Sequence, residues 1–237
     1  MLIDAHCHAY EFSREDLRKY RSSFRIICVS EDLESSIKSL EIGEAFPNIV
    51  SFIGLHPWNV PETPRSEIEE IVKLIEKREV AGLGEIGLDK RMGKAYQRQK
   101  EIFEIFCKLA VEYGLPVNLH ALDAWGDVLA ILRRYDVERA VFHWYSGPID
   151  LLKELSDNGY MVTINPSVKI QRRHRMVLEE VSLDMVMTES DGPYQYRGLN
   201  LKPDMIPELV EFIAEVKDTR REVVEELIER NFLRFLR

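Results

Sequence analysis

The chain has 237 residues, 45% of them hydrophobic and 31% charged, with a net charge of −9. That length suits one (β/α)8 barrel of about 250 residues. The acidic balance weighs against an extended nucleic-acid footprint but permits a substrate whose phosphates meet bound cations, which the count omits. Short apolar, β-branched-rich runs then alternate with helical patterns, predicting βαβ units. LIDAH (2–6) comes first and leads into two histidines, His6 and His8. RIICVS (25–30) follows, then IVSFIGLH (49–56), which ends on His56, and VAGLGEI (80–86), which carries Glu85. Residues 95–114 form the clearest helix, with Ile102, Ile105, Phe106, Leu109 and Tyr113 at helical spacing and Gly114 as cap. LPVNLH (115–120) ends on His120, AVFHW (140–144) carries His143, YMVTIN (160–165) is next, and DMVMTES (184–190) leads into Asp191. From Pro203 to Arg237 the pattern predicts two more helices, with Thr219 capping the second. Eight strands in this alternation favour a single closed TIM-type α/β barrel over residues 1–237, although an open doubly wound sheet fits the same pattern.

In a barrel these strand ends meet on one face, where barrel enzymes carry their sites. Five of the six histidines and two acidic residues fall there; only His174 lies elsewhere, in a basic helical stretch. Clustered imidazoles and carboxylates point to metal or catalysis. Neutral imidazoles bind borderline divalent metals, and carboxylates offset the cation charge. Glu85 has two oxygens and can bridge two metals about 3.5–4 Å apart. Asp4 shares a strand face with His6 and His8 and is placed to orient one of them. Trp58, Trp125 and Trp144 all follow strand ends and can stack on a base, Trp144 being the best placed. The basic run from Lys169 to Arg175 is expected to be a solvated helix face, though such a patch can also steer a polyanion. GLGEIG (82–87) satisfies GxGxxG, but Glu85 would repel phosphates and the next helical pattern begins only near Ala95, so no organic cofactor is expected.

Taken in order, the motifs resemble the TatD family of metal-dependent deoxyribonucleases in the amidohydrolase superfamily. Asp4–His8 is similar to its opening DxHCH, Gly54-Leu55-His56-Pro57 to GxHP, and Gly84–Asp89 to GEIGLD. Leu115–His120 resembles LPVxxH, Phe142-His143 with Ser146-Gly147 resembles HCFSG, and Glu189–Tyr194 resembles ETDxPY; Asn231-Phe232 resembles the closing NFxRLF. The resemblance implies a distorted barrel with two divalent metals at its mouth. His6, His8 and Asp191 would hold one metal, His120 and His143 the other, and Glu85 would bridge. His56 would lie near the substrate phosphate, and Asp191 would take a proton from the attacking water. The chain departs from the family at Leu122, where an arginine is common, at Trp144-Tyr145 and at Lys90-Arg91. Residues 80–89 contain no lysine before Lys90 that carbamylation could turn into a bridge, and Glu85 takes that place.

The expected activity is therefore hydrolysis of DNA or another phosphodiester, in the manner of a 3′–5′ exonuclease. The alternatives are hydrolysis of a small amide, lactone or ester, and a non-catalytic metal-binding scaffold. Four histidines suit zinc as the bound metal, with magnesium or manganese able to support activity. No run approaches the roughly 18 apolar residues of a membrane helix, and the first segment lacks the basic start of a signal peptide. Cys7, Cys28 and Cys107 make no CxxC, so a reduced, cytoplasmic protein without a membrane partner is expected. The sequence does not fix the oligomeric state.

Overall fold

The structure, a computed structural model, describes residues 1–77 and 80–237. Eight parallel strands lie side by side in chain order: β1 (Leu2–Cys7), β2 (Phe24–Cys28), β3 (Ile49–Ile53), β4 (Gly82–Asp89), β5 (Val117–Leu122), β6 (Ala140–Phe142), β7 (Met161–Ile164) and β8 (Val186–Thr188). Helices occupy the connections: α1 (Arg14–Tyr20), α2 (Leu33–Ala45), α3 (Arg65–Lys77), α4 (Tyr96–Glu112), α5 (Trp125–Arg134), α6 (Leu151–Asp157) and α7 (Arg172–Glu180). Helices α8 (Ile206–Val216) and α9 (Arg221–Leu236) follow the last barrel strand. Strand residues such as Ile26, Ile53, Leu83, Leu119, Phe142 and Val162 are fully buried. Helices cover the sheet, so the strands read as continuous apolar runs instead of alternating ones.

The barrel closes between its first and last strands through a few specific bonds. Thr188 Oγ1 donates to the Ile3 carbonyl at 2.6 Å, and the Ser190 amide donates to Asp4 Oδ1 at 2.8 Å. The Asp191 amide then reaches the His6 carbonyl at 2.9 Å. At the opposite end α9 plugs the floor. Its Asn231 carboxamide donates to the Leu183 and Val186 carbonyls at 2.7 and 2.8 Å, and Phe232 and Phe235 are buried beside it.

Several sequence expectations need correction. β3 stops at Ile53 instead of reaching His56, because the end of β2 crosses to β4: the Ser30 amide bonds the Gly84 carbonyl, and the Glu85 amide bonds Ser30 O at 2.7 Å. β4 runs on to Asp89, past the predicted end at Ile86, so Glu85 sits within the strand. GLGEIG is thus strand, not a strand-to-helix turn. Thr219 does not cap α9, whose N-terminal flank is Arg220 without a side-chain cap. An antiparallel hairpin, β9 (Tyr194–Tyr196) and β10 (Leu199–Leu201), follows β8 and was not expected. Its two-residue turn, Arg197-Gly198, has φ of 46° and 87°, yet lacks the Asn-Gly or Asp-Gly signature of such turns.

Two bulges interrupt the ladders near the mouth. Between β1 and β2 the register passes from Asp4↔Ile26 to Cys7↔Cys28, and between β4 and β5 from Leu83↔Val117 to Ile86↔Leu119. In each case one strand advances three residues against two, which bends it and re-aims a side chain. The residues in the bulges include His6 and Glu85. Gly84 is required there because a Cβ would lie 2.7 Å from that of Asn118 on β5.

Candidate metal centre

Glu85 is the hub of the site and is 2% exposed. Its Oε1 lies 2.8 Å from His120 Nδ1, 3.0 Å from His143 Nε2 and 3.2 Å from His56 Nε2. Its Oε2 lies 3.3 Å from His6 Nε2 and 3.9 Å from His8 Nε2. Asp191 Oδ1 approaches the same two imidazoles, at 3.3 and 3.6 Å. Three groups of donor atoms compact enough to hold a metal ion result: His6, His8 and Asp191; His6, Glu85 and His143; and His56, Glu85 and His120. All six residues expected as ligands, and His56, therefore meet around one carboxylate.

The surroundings fix which nitrogen His6, His8 and His56 present. Asn118 Nδ2 donates to the Ala5 carbonyl, leaving its oxygen to accept from His6 Nδ1 at 2.8 Å. His6 then offers the lone pair of Nε2 to the site. That Nε2 is buried without a hydrogen-bond partner, although two carboxylate oxygens lie 3.3 Å away. The Tyr10 hydroxyl donates to Glu31 at 2.9 Å and turns its oxygen towards His8 Nδ1, 3.5 Å away, which leaves His8 Nε2 for the site. His120 Nε2 and His143 Nδ1 lie 3.4 and 3.8 Å from the Asp89 and Glu189 carboxylates without a hydrogen bond to them. His56 is the reverse case. Its Nδ1 accepts the Trp58 amide at 3.2 Å, so the neutral ring carries its proton on Nε2, pointed inward.

The electrostatics agree with a site built for cations. Burial works to raise the Glu85 carboxyl, but His143, His56, His6 and the His120 hydrogen bond hold it well below its ordinary value. Asp191 is likewise held down by His6 and His8 against the effect of its burial. Burial lowers His6, yet Glu85 and Asp191 carry it well above the usual imidazole value. Two ionised carboxylates here require positive charge, and bound divalent cations would supply it in place of imidazole protons. The orphaned His6 Nε2 and the mixed nitrogen–oxygen donor set fit such ions.

Some side chains behave otherwise than the sequence suggests. Asp4 does not orient a histidine: it accepts from the Ser190 amide, and burial pushes its carboxyl up to about 7. Asn118 does that work instead. His174 is not on a solvated face. It is fully buried, with Nδ1 donating to the Tyr145 carbonyl at 2.7 Å and Nε2 accepting the Asn165 amide at 3.1 Å. The spacing of His174, Val177 and Leu178 carries the helical signal that would have shown this. The rest of the basic run divides. Lys169 pairs with Glu208 and Arg175 with Glu179, while Arg173 lines the cavity at the barrel mouth. Sequence reasoning also missed Asp89, which accepts the Trp58 indole N–H at 2.5 Å, and Glu189, which accepts from the Trp144 amide and Thr163 Oγ1.

That cavity, about 430 Å³, opens directly over His8, His56, Glu85 and Asp191, with Trp58 and Trp144 in its wall. A closed barrel bearing such a donor cluster at the carboxyl ends of its strands defines a metal-dependent hydrolase. The chain belongs to the TatD family: the family model described as TatD related DNase matches residues 3–237. It is 30% identical to an uncharacterized metal-dependent hydrolase of Methanocaldococcus jannaschii, over 99% of this chain and 96% of that one. It is 27% identical to the uncharacterized hydrolase YabD of Bacillus subtilis, over 100% of this chain and 99% of that one. Among solved structures, the TatD homolog YjjV of Escherichia coli superposes with a TM-score of 0.87 at 23% identity, covering 97% of this chain and 95% of that one. No helix among the described residues is long and apolar enough to cross a membrane.

Proposed function

We propose that this site hydrolyses phosphodiester bonds of DNA, trimming single strands from the 3′ end, with two divalent cations as cofactors. The observation that carries the reading is the convergence of ring nitrogens of His6, His8, His120 and His143 on the Glu85 and Asp191 carboxylates. His56, whose Nδ1 accepts the Trp58 amide, instead presents a proton. In this reading His6, His8 and Asp191 would hold one cation, and His120 and His143 the other, with the Glu85 carboxylate available to both. Zinc is the resident metal that four imidazoles favour, and magnesium or manganese can support turnover. When bound, the cations supply positive charge for the phosphate oxygens and bring water within reach of ionisation at neutral pH.

The protein groups do the rest. Asp191 accepts the proton of the attacking water as the new O–P bond forms. The phosphodiester's O–P bond to the leaving sugar then breaks, and the proton passes to that oxygen. His56 donates its Nε2 proton in a hydrogen bond to a phosphate oxygen, burial having lowered its affinity for a second proton. Trp144 offers a ring for a base. The family's description as a DNase supports the nucleic-acid substrate, and three buried free thiols fit a reducing, cytoplasmic setting.

The test is purified protein loaded with magnesium, manganese or zinc and given end-labelled single-stranded oligonucleotides. Stepwise shortening from the 3′ end is expected, with His120→Ala inactive. Cleavage no greater than that of His120→Ala with every metal would remove the reading.

A further inference from the structure

The outer wall of the cavity is built by two segments for which the chemistry at Glu85 has no use: the start of α7 and the β9–β10 hairpin. Trp144 braces them together. Its backbone sits in the left-handed region at φ 42°. Its indole N–H donates to Gln171 Oε1 at 2.7 Å, and its ring lies edge-on to Tyr196 at 4.9 Å. Arg173 follows Gln171 by two residues and Arg197 follows Tyr196 directly; both line the cavity.

These two guanidiniums have no carboxylate partner among the described residues, and Arg197 only rests over the Tyr196 ring at 5.4 Å. Arg91, which also lines the cavity, is by contrast tied to Asp123 at 2.7 Å. Arg197 also occupies the first position of its turn at φ 46°, where a bulky side chain is strained. Strain kept at a cavity rim points to a residue retained for its head group. Two unpaired cations facing a cavity, in a chain of net charge −9, fit a bidentate partner with several oxygens, which is the chemistry of phosphate.

We propose that Arg173 and Arg197 form an anion subsite that takes a second phosphate group, one nucleotide away from the bond cut at the metal centre. The subsite rests on the phosphodiester reading above, and it narrows the substrate to nucleotides that carry two phosphates. It also supplies cationic contacts that the sequence lacks at Leu122. The cavity volume of about 430 Å³ suits a ligand of nucleotide size.

Calorimetric titration of the metal-loaded protein with thymidine 5′-monophosphate and thymidine 3′,5′-bisphosphate tests it. Wild type should bind the bisphosphate at least about tenfold more tightly, as expected for charge-assisted bonds to one more phosphate. The double variant Arg173→Gln with Arg197→Gln should lose that advantage, each single variant part of it, and Arg172→Gln none. Both arginines are exposed, and a thermal melt confirms that each variant is folded. Equal affinities in wild type, an advantage that survives the double variant, or its loss in Arg172→Gln would overturn the proposal. Hydrolysis of bis(p-nitrophenyl) phosphate, which has a single phosphate, is measured alongside. Its absence would count against the phosphodiester reading, while the titrations would still decide the subsite.

Discussion

The two ends of this barrel are made from the same strands and solve opposite problems. At the floor, Phe52, Phe232 and Phe235 are buried, the Phe52 and Phe235 rings lying 5.9 Å apart. The Asn231 amide nitrogen there caps the Leu183 and Val186 carbonyls, while its oxygen is buried without a hydrogen-bond partner. At the mouth, five ionisable groups, His6, His56, Glu85, His120 and Asp191, are buried together, and the Nε2 atoms of His6 and His120 lack hydrogen-bond partners. The main chain is unusual there as well: Asp123, Trp144 and Asp191 all have positive φ. Burying charge and strain is unfavourable, so the mouth persists because the apolar end offsets it. Stability and chemistry are segregated along one axis, as barrels permit.

That segregation can be broken from either side. The largest effect is expected at the floor: Phe235→Ala should cost about 3–5 kcal/mol in urea denaturation through the cavity it leaves. Its kcat should be unchanged while the protein stays folded, and a fall in kcat without a fall in stability would show that the floor shapes the site. At the mouth Glu85→Gln should lower kcat roughly 10²–10³-fold. Elemental analysis should find less metal in it, and the melting temperature of the metal-free protein should move little.

His174 tests the boundary between the two regions. Burial lowers its pKa to about 4, so the folded state keeps it neutral while the unfolded chain protonates near pH 6.5. Its contribution is fully present above pH 6.5 and is lost as pH falls towards 4, a difference of roughly 3 kcal/mol. His174→Gln should therefore flatten the acid limb of stability against pH in that window, whatever it does to the level above it. The smallest effect separates two polar neighbours of His6. Asn118→Ala should weaken metal binding about 10–100-fold by freeing the ring, whereas Asp4→Asn should loosen the join of β1 to β8 and leave metal affinity nearly intact.

Much of the mouth is legible in the sequence because its chemistry uses rare residue types at strand ends. His6, His8, His56, His120, His143, Glu85 and Asp191 each announce themselves. The residues that aim them do not. Asn118, Asp89 and Glu189 look like ordinary strand or loop polar groups until the acceptor facing each imidazole is known. The bulges that turn His6 and Glu85 inward leave no compositional mark, and the β9–β10 hairpin is hidden by an arginine in a turn that normally advertises itself with asparagine. The helices and strands of the scaffold were readable from periodicity, but their ends were not, because hydrogen bonds such as those of Ser30 decide where a strand leaves the sheet.

The join between the first and last strands sets a timetable for synthesis. Ile3 and Thr188, which it links, are 185 residues apart, and His6 waits for Asp191 across the same interval. At about 5–20 residues per second on a ribosome, roughly ten to forty seconds separate the emergence of the two. A nascent chain carries His6 and His8 throughout that time without the Asp191 carboxylate that completes their cluster, so the cluster closes only after Asp191 has emerged.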